Sequence, residues 1–296
     1  MLDLPPEEVP PQRVSQDAIV SAPVKETSAP TLALQTPALR LAAALVPWDT
    51  ESFGVPVAQV QQIHVQDRPA ADAEMQRLLA WFDSQGVDLA ACRLDHSRLL
   101  ESAALERIGF RFIEMVYGME INPQRLQSGA DAPLAVQWRR AVKADLVELQ
   151  QLAADAFATG RWNMDWSVGQ SLGGRRYADW VARSLVDAKH EVLCAVVDGQ
   201  TTGLFIVEPA SDGSVYWHLT AVGPKWQGKG LGKAMWRSML HRHARDGATS
   251  VHTTISARNV PVVNLYARLG WRFVNCQMSY HWASARWLAR GGANLD

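Results

Sequence analysis

The stretch from Val215 to Gly232 sets the tightest limit on what this chain can fold into. An apolar run ends in a turn at Pro224, and the hexad Gln227-Gly228-Lys229-Gly230-Leu231-Gly232 follows. An amphipathic segment then runs from Lys233 to Arg245. The order is strand, tight loop, helix. Such a loop brings backbone N–H groups and a helix N-terminus to one point. Glycine lets a ligand approach the backbone closely, and the helix dipole favours negative charge there. The stretch is a place to hold a pyrophosphate.

A second stretch, Asn259 to Trp271, reads as a helix that ends at Gly270 and gives way to an aromatic strand. It has a partial echo upstream. When Gly109 is set on Gly270, Arg107, Gly109, Arg111 and Phe112 fall on Arg268, Gly270, Arg272 and Phe273, which are identical residues. Leu105 then falls where Tyr266 is. Helix, glycine cap and aromatic strand form a common unit, so the echo has a bland explanation. The sharper one is that an earlier unit is a degenerate partial copy of a later one. The earlier unit has no counterpart of the glycine-rich loop.

The rest of the chain divides around these stretches. Residues 1–40 hold seven prolines and little period, and read as a disordered Pro-rich tail. Residues 41–122 alternate strand and helix patterns: strand Val55 to Val65, helix Ala71 to Gln85 before Gly86, strand Val87 to Leu94, helix Ser97 to Ile108, strand Phe110 to Ile121. Residues 123–134 carry linker signals. Residues 135–285 form the main unit, opening with a strand at Val136 to Val142 and a helix that Asp145 is placed to cap. A loop from Gly160 to Gly174, a helix from Arg175 to Ala188 and a hairpin across Asp198-Gly199 follow. Residues 286–296 read as a C-terminal tail.

Composition narrows the function classes. The 296 residues are 48% hydrophobic and 20% charged, with a formal net charge of −1. That supports a real core and offers no global attraction to nucleic acid or to a membrane surface. The first residues have neither a basic region nor an apolar run, and no segment is apolar enough to span a bilayer. A cytoplasmic location is expected. Cys92, Cys194 and Cys276 have no disulfide-framework or metal-ligand spacing, so buried reduced thiols and no metal site are expected.

The loop and the Asn259–Trp271 stretch, in that order and separated by a helix and a strand, resemble the two hallmarks of the GCN5-related N-acetyltransferase (GNAT) superfamily. The resemblance covers about Val136 to Trp282. It implies an α/β (α+β) fold with a central mixed, largely antiparallel sheet, splayed between two parallel strands and flanked by helices. The N-terminal unit would be a smaller, degenerate GNAT-like α/β domain. Acetyl-CoA is the acyl donor that the resemblance implies. Its pyrophosphate would take backbone N–H groups of Gln227, Gly228, Lys229, Gly230, Leu231 and Gly232, with Lys233 nearby. Its arm would lie against Leu219, Ala221, Val222 and Asn259. In the family, a tyrosine at the place of Tyr266 acts as general acid for the leaving thiolate.

The resemblance implies a small primary amine as the acceptor. Arg161, Trp162 and His218 are its candidate contacts. Trp48-Asp49, Phe53-Gly54, the Arg161 segment and Tyr280-His281-Trp282 resemble the TDP-fucosamine N-acetyltransferases. That implies an amino-sugar nucleotide such as a TDP-4-amino-4,6-dideoxyhexose. Another small amine, a protein N-terminus, or a non-catalytic acyl-CoA-binding module are the alternatives. A homodimer is compatible with all of them. For the general base, His218, Glu208, Asp165 and His252 stay open.

Overall fold

The computed structural model describes residues 29–126 and 136–291. Among these residues a single mixed sheet of 11 strands runs through the molecule. In chain order they are β1 Thr31–Gln35, β2 Leu39–Leu45, β3 Val57–Val65, β4 Leu89–Asp95, β5 Arg111–Ile121 and β6 Gln137–Arg140. Then come β7 Glu191–Val197, β8 Gln200–Pro209, β9 Ser214–Val222, β10 Ser250–Ser256 and β11 Arg272–Ala283. The helices are α1 Pro47–Phe53, α2 Arg68–Ser84, α3 Leu99–Arg107, α4 Leu146–Ala156, α5 Arg161–Met164, α6 Gln170–Val186, α7 Leu231–Arg245, α8 Val260–Arg268 and α9 Ala285–Ala289. Across the sheet the order is β1-β2-β3-β4-β11-β5-β10-β9-β8-β7-β6.

That order shows an exchange. β11, from the end of the chain, lies between β4 and β5, while β5, from the first half, pairs with β10. Each half has lent its last strand to the other. The register is two-fold symmetric about the β5–β11 pair. With Gly109 on Gly270, Arg111 corresponds to Arg272 and His281 to Glu120, and both pairs, Arg111↔His281 and Arg272↔Glu120, occur. The unmatched residues at the two bulges, Ile113 and Val274, also correspond. So do the pairs Ala90↔Trp282 and Val251↔Ile121. The upstream echo is thus carried by the fold itself.

Each half also contains one parallel pair that forks. β3 and β4 pair only from Val57↔Leu89 to Val60↔Cys92, and β9 and β10 only from Ser214↔Ser250 to Trp217↔Thr253. In both halves the outer antiparallel neighbour carries a register shift beside the fork. In β9 it falls between Trp217 and Leu219, leaving His218 as the extra residue. The shift turns the pleat over. Trp217 packs with Phe205, Trp236 and Trp271 on the α7 side, whereas Leu219 and Ala221 pack with Leu149, Leu152 and Val181 under α4 and α6.

Several boundaries differ from the sequence reading. β1 and β2 begin inside the stretch read as a tail, and Leu34 and Leu39 are buried. Residues 1–28 lie outside the described residues. The stretch read as a linker starts with a 3-10 turn at Pro123–Arg125, where Gln124 donates to Ala244 O at 2.7 Å; residues 127–135 are outside the description. Residues 286–289 are part of α9 rather than a tail, because Trp287 is buried and its indole donates to Ser167 O at 2.6 Å. Asp145 does not cap α4. Its carboxylate takes the Val142 N–H at 2.7 Å and both Arg139 Nη groups at 2.7 and 2.8 Å. The loop from Gly160 to Gly174 is partly helical, since α5 forms within it and α6 starts at Gln170.

Candidate active site

The fork between β9 and β10 is the centre of the site. Thr253 Oγ1 donates to Trp217 O at 2.9 Å where the strands part. Beyond that point the β9 edge facing β10 has no strand partner. Which residues present that edge follows from alternation. Gly223 N–H points to β8, bonding Thr202 O at 2.8 Å, so Ala221 and Leu219 point the same way. Thr220 and Val222 therefore offer their N–H and C=O groups to the fork. This corrects the assignment of Leu219 and Ala221, whose side chains are core and whose backbone groups serve β8.

The loop that follows is built for close approach. Gly228 and Gly230 adopt φ of +74° and +77°, and a Cβ at either position would stand in open space. Side chains rarely adopt that backbone, so glycine is retained here for the path of the chain. Gly230 is the N-cap of α7, no side chain caps the helix, and its first turn has no acidic residue. The N-terminus of a 15-residue helix thus faces outward with its N–H groups uncovered. Lys229 Nζ lies 5.2 Å from the Trp226 ring. Gln227, Gly228, Lys229 and Gly230 are exposed, and Lys233 is exposed in the first turn. Gly232 lies against Leu265 and Val222. Leu231 is buried, so only its backbone can meet a ligand. Gln227 Nε2 donates to Val222 O at 3.1 Å and ties the loop to the strand. These features suit a pyrophosphate and an extended arm running to the fork.

The upstream half has the same fork but not the open helix N-terminus beside it. Only Gln66 and Asp67 link β3 to α2, and the Asp67 carboxylate caps α2 by accepting from Ala70 N. A carboxylate thus stands where α7 leaves its N-terminus open. Leu105, fully buried, occupies the place that Tyr266 takes in the other half.

Tyr266 sits on α8 behind the fork, buried among Trp236 and Trp271. Burial pushes its phenol up, and polar contacts with Trp236, Thr220 and Thr253 only partly offset this, so the group holds its proton at neutral pH. Thr220 and Thr253 come one from each side of the fork. Asn259 is the N-cap residue of α8, but its side chain makes no capping bond, and Val262 and Val263 N–H bond its carbonyl instead.

On the opposite face, His218 Nε2 and Glu208 Oε2 are 2.8 Å apart, and His190 Nε2 lies 3.8 Å from the same oxygen. Burial pushes the His218 imidazole down; the Glu208 hydrogen bond pulls it partly back. It is neutral at pH 7 and can accept a proton. Trp180 and Tyr216 flank it. The ligating atoms of His190, Glu208 and His218 lie within 4.8 Å of one another, near enough for a divalent cation. Sequence spacing missed this grouping, because His190 reaches it from the turn after α6.

Two other base candidates are engaged elsewhere. Asp165 is fully buried; burial raises its carboxyl, but His281 at 2.8 Å and Ser167 at 2.7 Å hold it at about 2. His252 bonds Ser250 at 2.9 Å and pairs with Tyr216, on the closed side of the fork. Of the two α5 residues, Trp162 is corrected to a core residue. It stacks on His281 at 3.8 Å, meets Phe53 at 5.0 Å and is 1% exposed, so no acceptor can stack on it. Arg161 stays in contact with its ring at 5.0 Å.

Comparisons with known proteins agree with this geometry. Residues 149–271 match the profile of the acetyltransferase (GNAT) family, a segment that includes the loop and Tyr266. A curated relative, the L-2,4-diaminobutyric acid acetyltransferase of Nocardia farcinica, is 35% identical over 80 residues. Those residues are 26% of this chain and 42% of the relative, so the match spans less than half of that protein. A GCN5-related N-acetyltransferase from Sphaerobacter thermophilus superposes with a TM-score of 0.58 at 14% identity, covering 82% of this chain and 76% of that one. A tandem GNAT protein from the clavulanic acid biosynthesis pathway superposes with a TM-score of 0.55 at 16% identity, covering 86% and 83%. The fold is the GNAT fold, with a mixed sheet larger than a single such domain needs.

Proposed function

We propose that the chain is an acetyl-CoA-dependent N-acetyltransferase that acetylates a small primary amine by direct attack in a ternary complex. One observation carries the reading. Of the two forks in the sheet, only that between β9 and β10 has an open glycine loop, an uncapped helix N-terminus and a buried phenol behind it. Acetyl-CoA, when bound, supplies an acetyl thioester. The N–H groups of the loop and of the start of α7 hold its phosphates, and Thr220 and Val222 pair with its arm.

The residues divide the proton transfers. His218, supported by Glu208, takes a proton from the acceptor ammonium so that the amine nitrogen can attack the acetyl carbon. A backbone N–H at the fork steadies the charge that develops on the carbonyl oxygen. The C–N bond forms, the C–S bond breaks, and Tyr266 gives its proton to the sulfur. The product is an amide and a free thiol.

Two acceptors represent the class. An amino-sugar nucleotide such as a TDP-4-amino-4,6-dideoxyhexose comes from the resemblance in the sequence, and a diamino acid from the name of the Nocardia relative. Both belong in a screen of thiol release from acetyl-CoA, with aminoglycosides and peptide N-termini beside them. Amine-dependent release supports the reading. Tight acetyl-CoA binding with no release on any amine would leave a binding module instead.

A further inference from the structure

We propose that the two halves of the sheet meet in an anion-binding subsite for the acceptor, built from Arg93 and Glu114 of the upstream half and Arg161 of the downstream half. The acceptor is then an amine that also carries a carboxylate or a phosphate. This rests on the acetyltransferase reading above and adds the chemistry of its second substrate.

The strand exchange creates the site. Arg93 on β4 pairs with Ser279 on β11, and Ser279 pairs with Glu114 on β5. Directly opposed residues share a face, so the three side chains form one row. Arg93 Nε donates to Ser279 Oγ at 3.3 Å. The row lies on the face that His281 presents to Trp162, which is the face α5 covers. Arg161 is the first residue of α5 and Arg176 comes from α6. Next to Glu114 on β5, Met115 O accepts at 2.9 Å from Ala257 N–H, just after the end of β10.

The charges in this space are incompletely paired. Arg176 is held by Asp49 at 2.7 Å. Among the described residues, the Arg161 guanidinium has its contact with the Trp162 ring but no hydrogen bond or ion pair. Glu114 is 6% exposed, and its carboxylate is likewise without either. Two arginines, Arg93 and Arg161, therefore stand against one carboxylate. Burial first, and then repulsion from Arg93 and Arg176, lower the pKa of the Arg161 guanidinium to about 10, and attraction to Asp49 and Glu114 offsets this only in part. A cation under that pressure gains from a bound anion, because enclosed charge is costly unless paired. A guanidinium also matches the geometry of a carboxylate or phosphate. In this light the upstream half does more than brace the fold, since it supplies part of the acceptor site.

The test uses acceptor pairs that differ only in charge: L-2,4-diaminobutyrate against its carboxamide, and an amino-sugar phosphate against the free amino sugar. Thiol release with the full-length protein gives kcat and KM for each. The anionic member of a pair is expected to win by about tenfold or more in kcat/KM. Arg161→Met should erase that preference by raising KM about tenfold more for the anionic member than for the neutral one, with Arg161→Lys recovering part of the difference. Arg93→Met should act the same way and covers the case in which Arg161→Met fails to fold. Calorimetry with acetyl-CoA serves as the folding control. The carboxylate and phosphate pairs separate the two sources of charge. Release with no charge preference, or a preference that survives both arginine changes, overturns the subsite while leaving acetyl transfer intact. Failure to bind acetyl-CoA would instead overturn the underlying function.

Discussion

His218 Nε2 lies 2.8 Å from Glu208 Oε2 at the residue where β9 bulges and leaves β10. The imidazole faces Glu208 on β8, His190 and Asp187 beyond α6, and Tyr216 on its own strand. Its pKa is lowered by burial, so the neutral, proton-accepting form persists below pH 6.5. The acid limb of kcat/KM is expected below that pH. His218→Gln should cut turnover on the order of 10²-fold, with acetyl-CoA affinity retained. Glu208→Gln should move the acid limb further down, because the carboxylate is what raises the imidazole. Both effects should survive dialysis against a chelator, which separates a proton relay from a metal site. An activity lost to the chelator and restored by zinc would contradict the relay.

Stability should fall with acid for a different histidine. His243 accepts from the Trp217 indole at 3.0 Å, and burial, then Arg242, lower it to about 4. The unfolded chain binds that proton near pH 6.5 and the folded chain only near 4. The stabilisation is complete above about 6.5 and is lost as the pH falls through about 4. It is worth on the order of 3 kcal/mol. Thermal melts between pH 8 and 4 should show the decline, and His243→Gln should flatten it. An unchanged slope in the variant would place the titration elsewhere.

Gly230→Val forces a β-branched residue into φ of +77° at the N-cap of α7 and covers N–H groups that a phosphate needs. A cost of about 1–2 kcal/mol in stability is expected. Calorimetry should show no acetyl-CoA binding by a protein that still melts cooperatively. Binding that persisted would mean the phosphates lie elsewhere.

The strand exchange predicts that neither half folds alone. Residues 1–126 lack β11 beside β4, and residues 127–296 lack β5 beside β10. Each fragment would expose an edge strand with no partner. Expressed separately, the fragments should be insoluble or unfolded; co-expressed, they should co-elute and bind acetyl-CoA. A folded, acetyl-CoA-binding downstream fragment would show that β5 is dispensable.

The strand, loop and helix at Val215 to Arg245 were legible because their signals are local. Period, glycine and proline all fall within a few residues there. The same holds for the hairpin at Asp198-Gly199, where both residues adopt positive φ. What the sequence hid depends on distant partners. Trp162 reads as an acceptor contact because Phe53 and His281, which enclose it, are far away in the chain. Leu219 and Ala221 read as lining the cofactor arm because a bulge at His218, invisible in composition, turns the pleat. The echo between the halves was readable, but the exchange of β5 and β11 was not, since identical local patterns fit either pairing.

Tyr266→Phe tests the central claim most directly. The variant keeps the ring packed against Trp271 at 4.7 Å and removes only the hydroxyl between Thr220 and Thr253. Thiol release with a responsive amine should fall on the order of 10²-fold in kcat. Acetyl-CoA affinity by calorimetry should stay within about twofold of wild type. Unchanged turnover with unchanged affinity would contradict Tyr266 as the proton donor, and with it the fork between β9 and β10 as the place where the acetyl group is transferred.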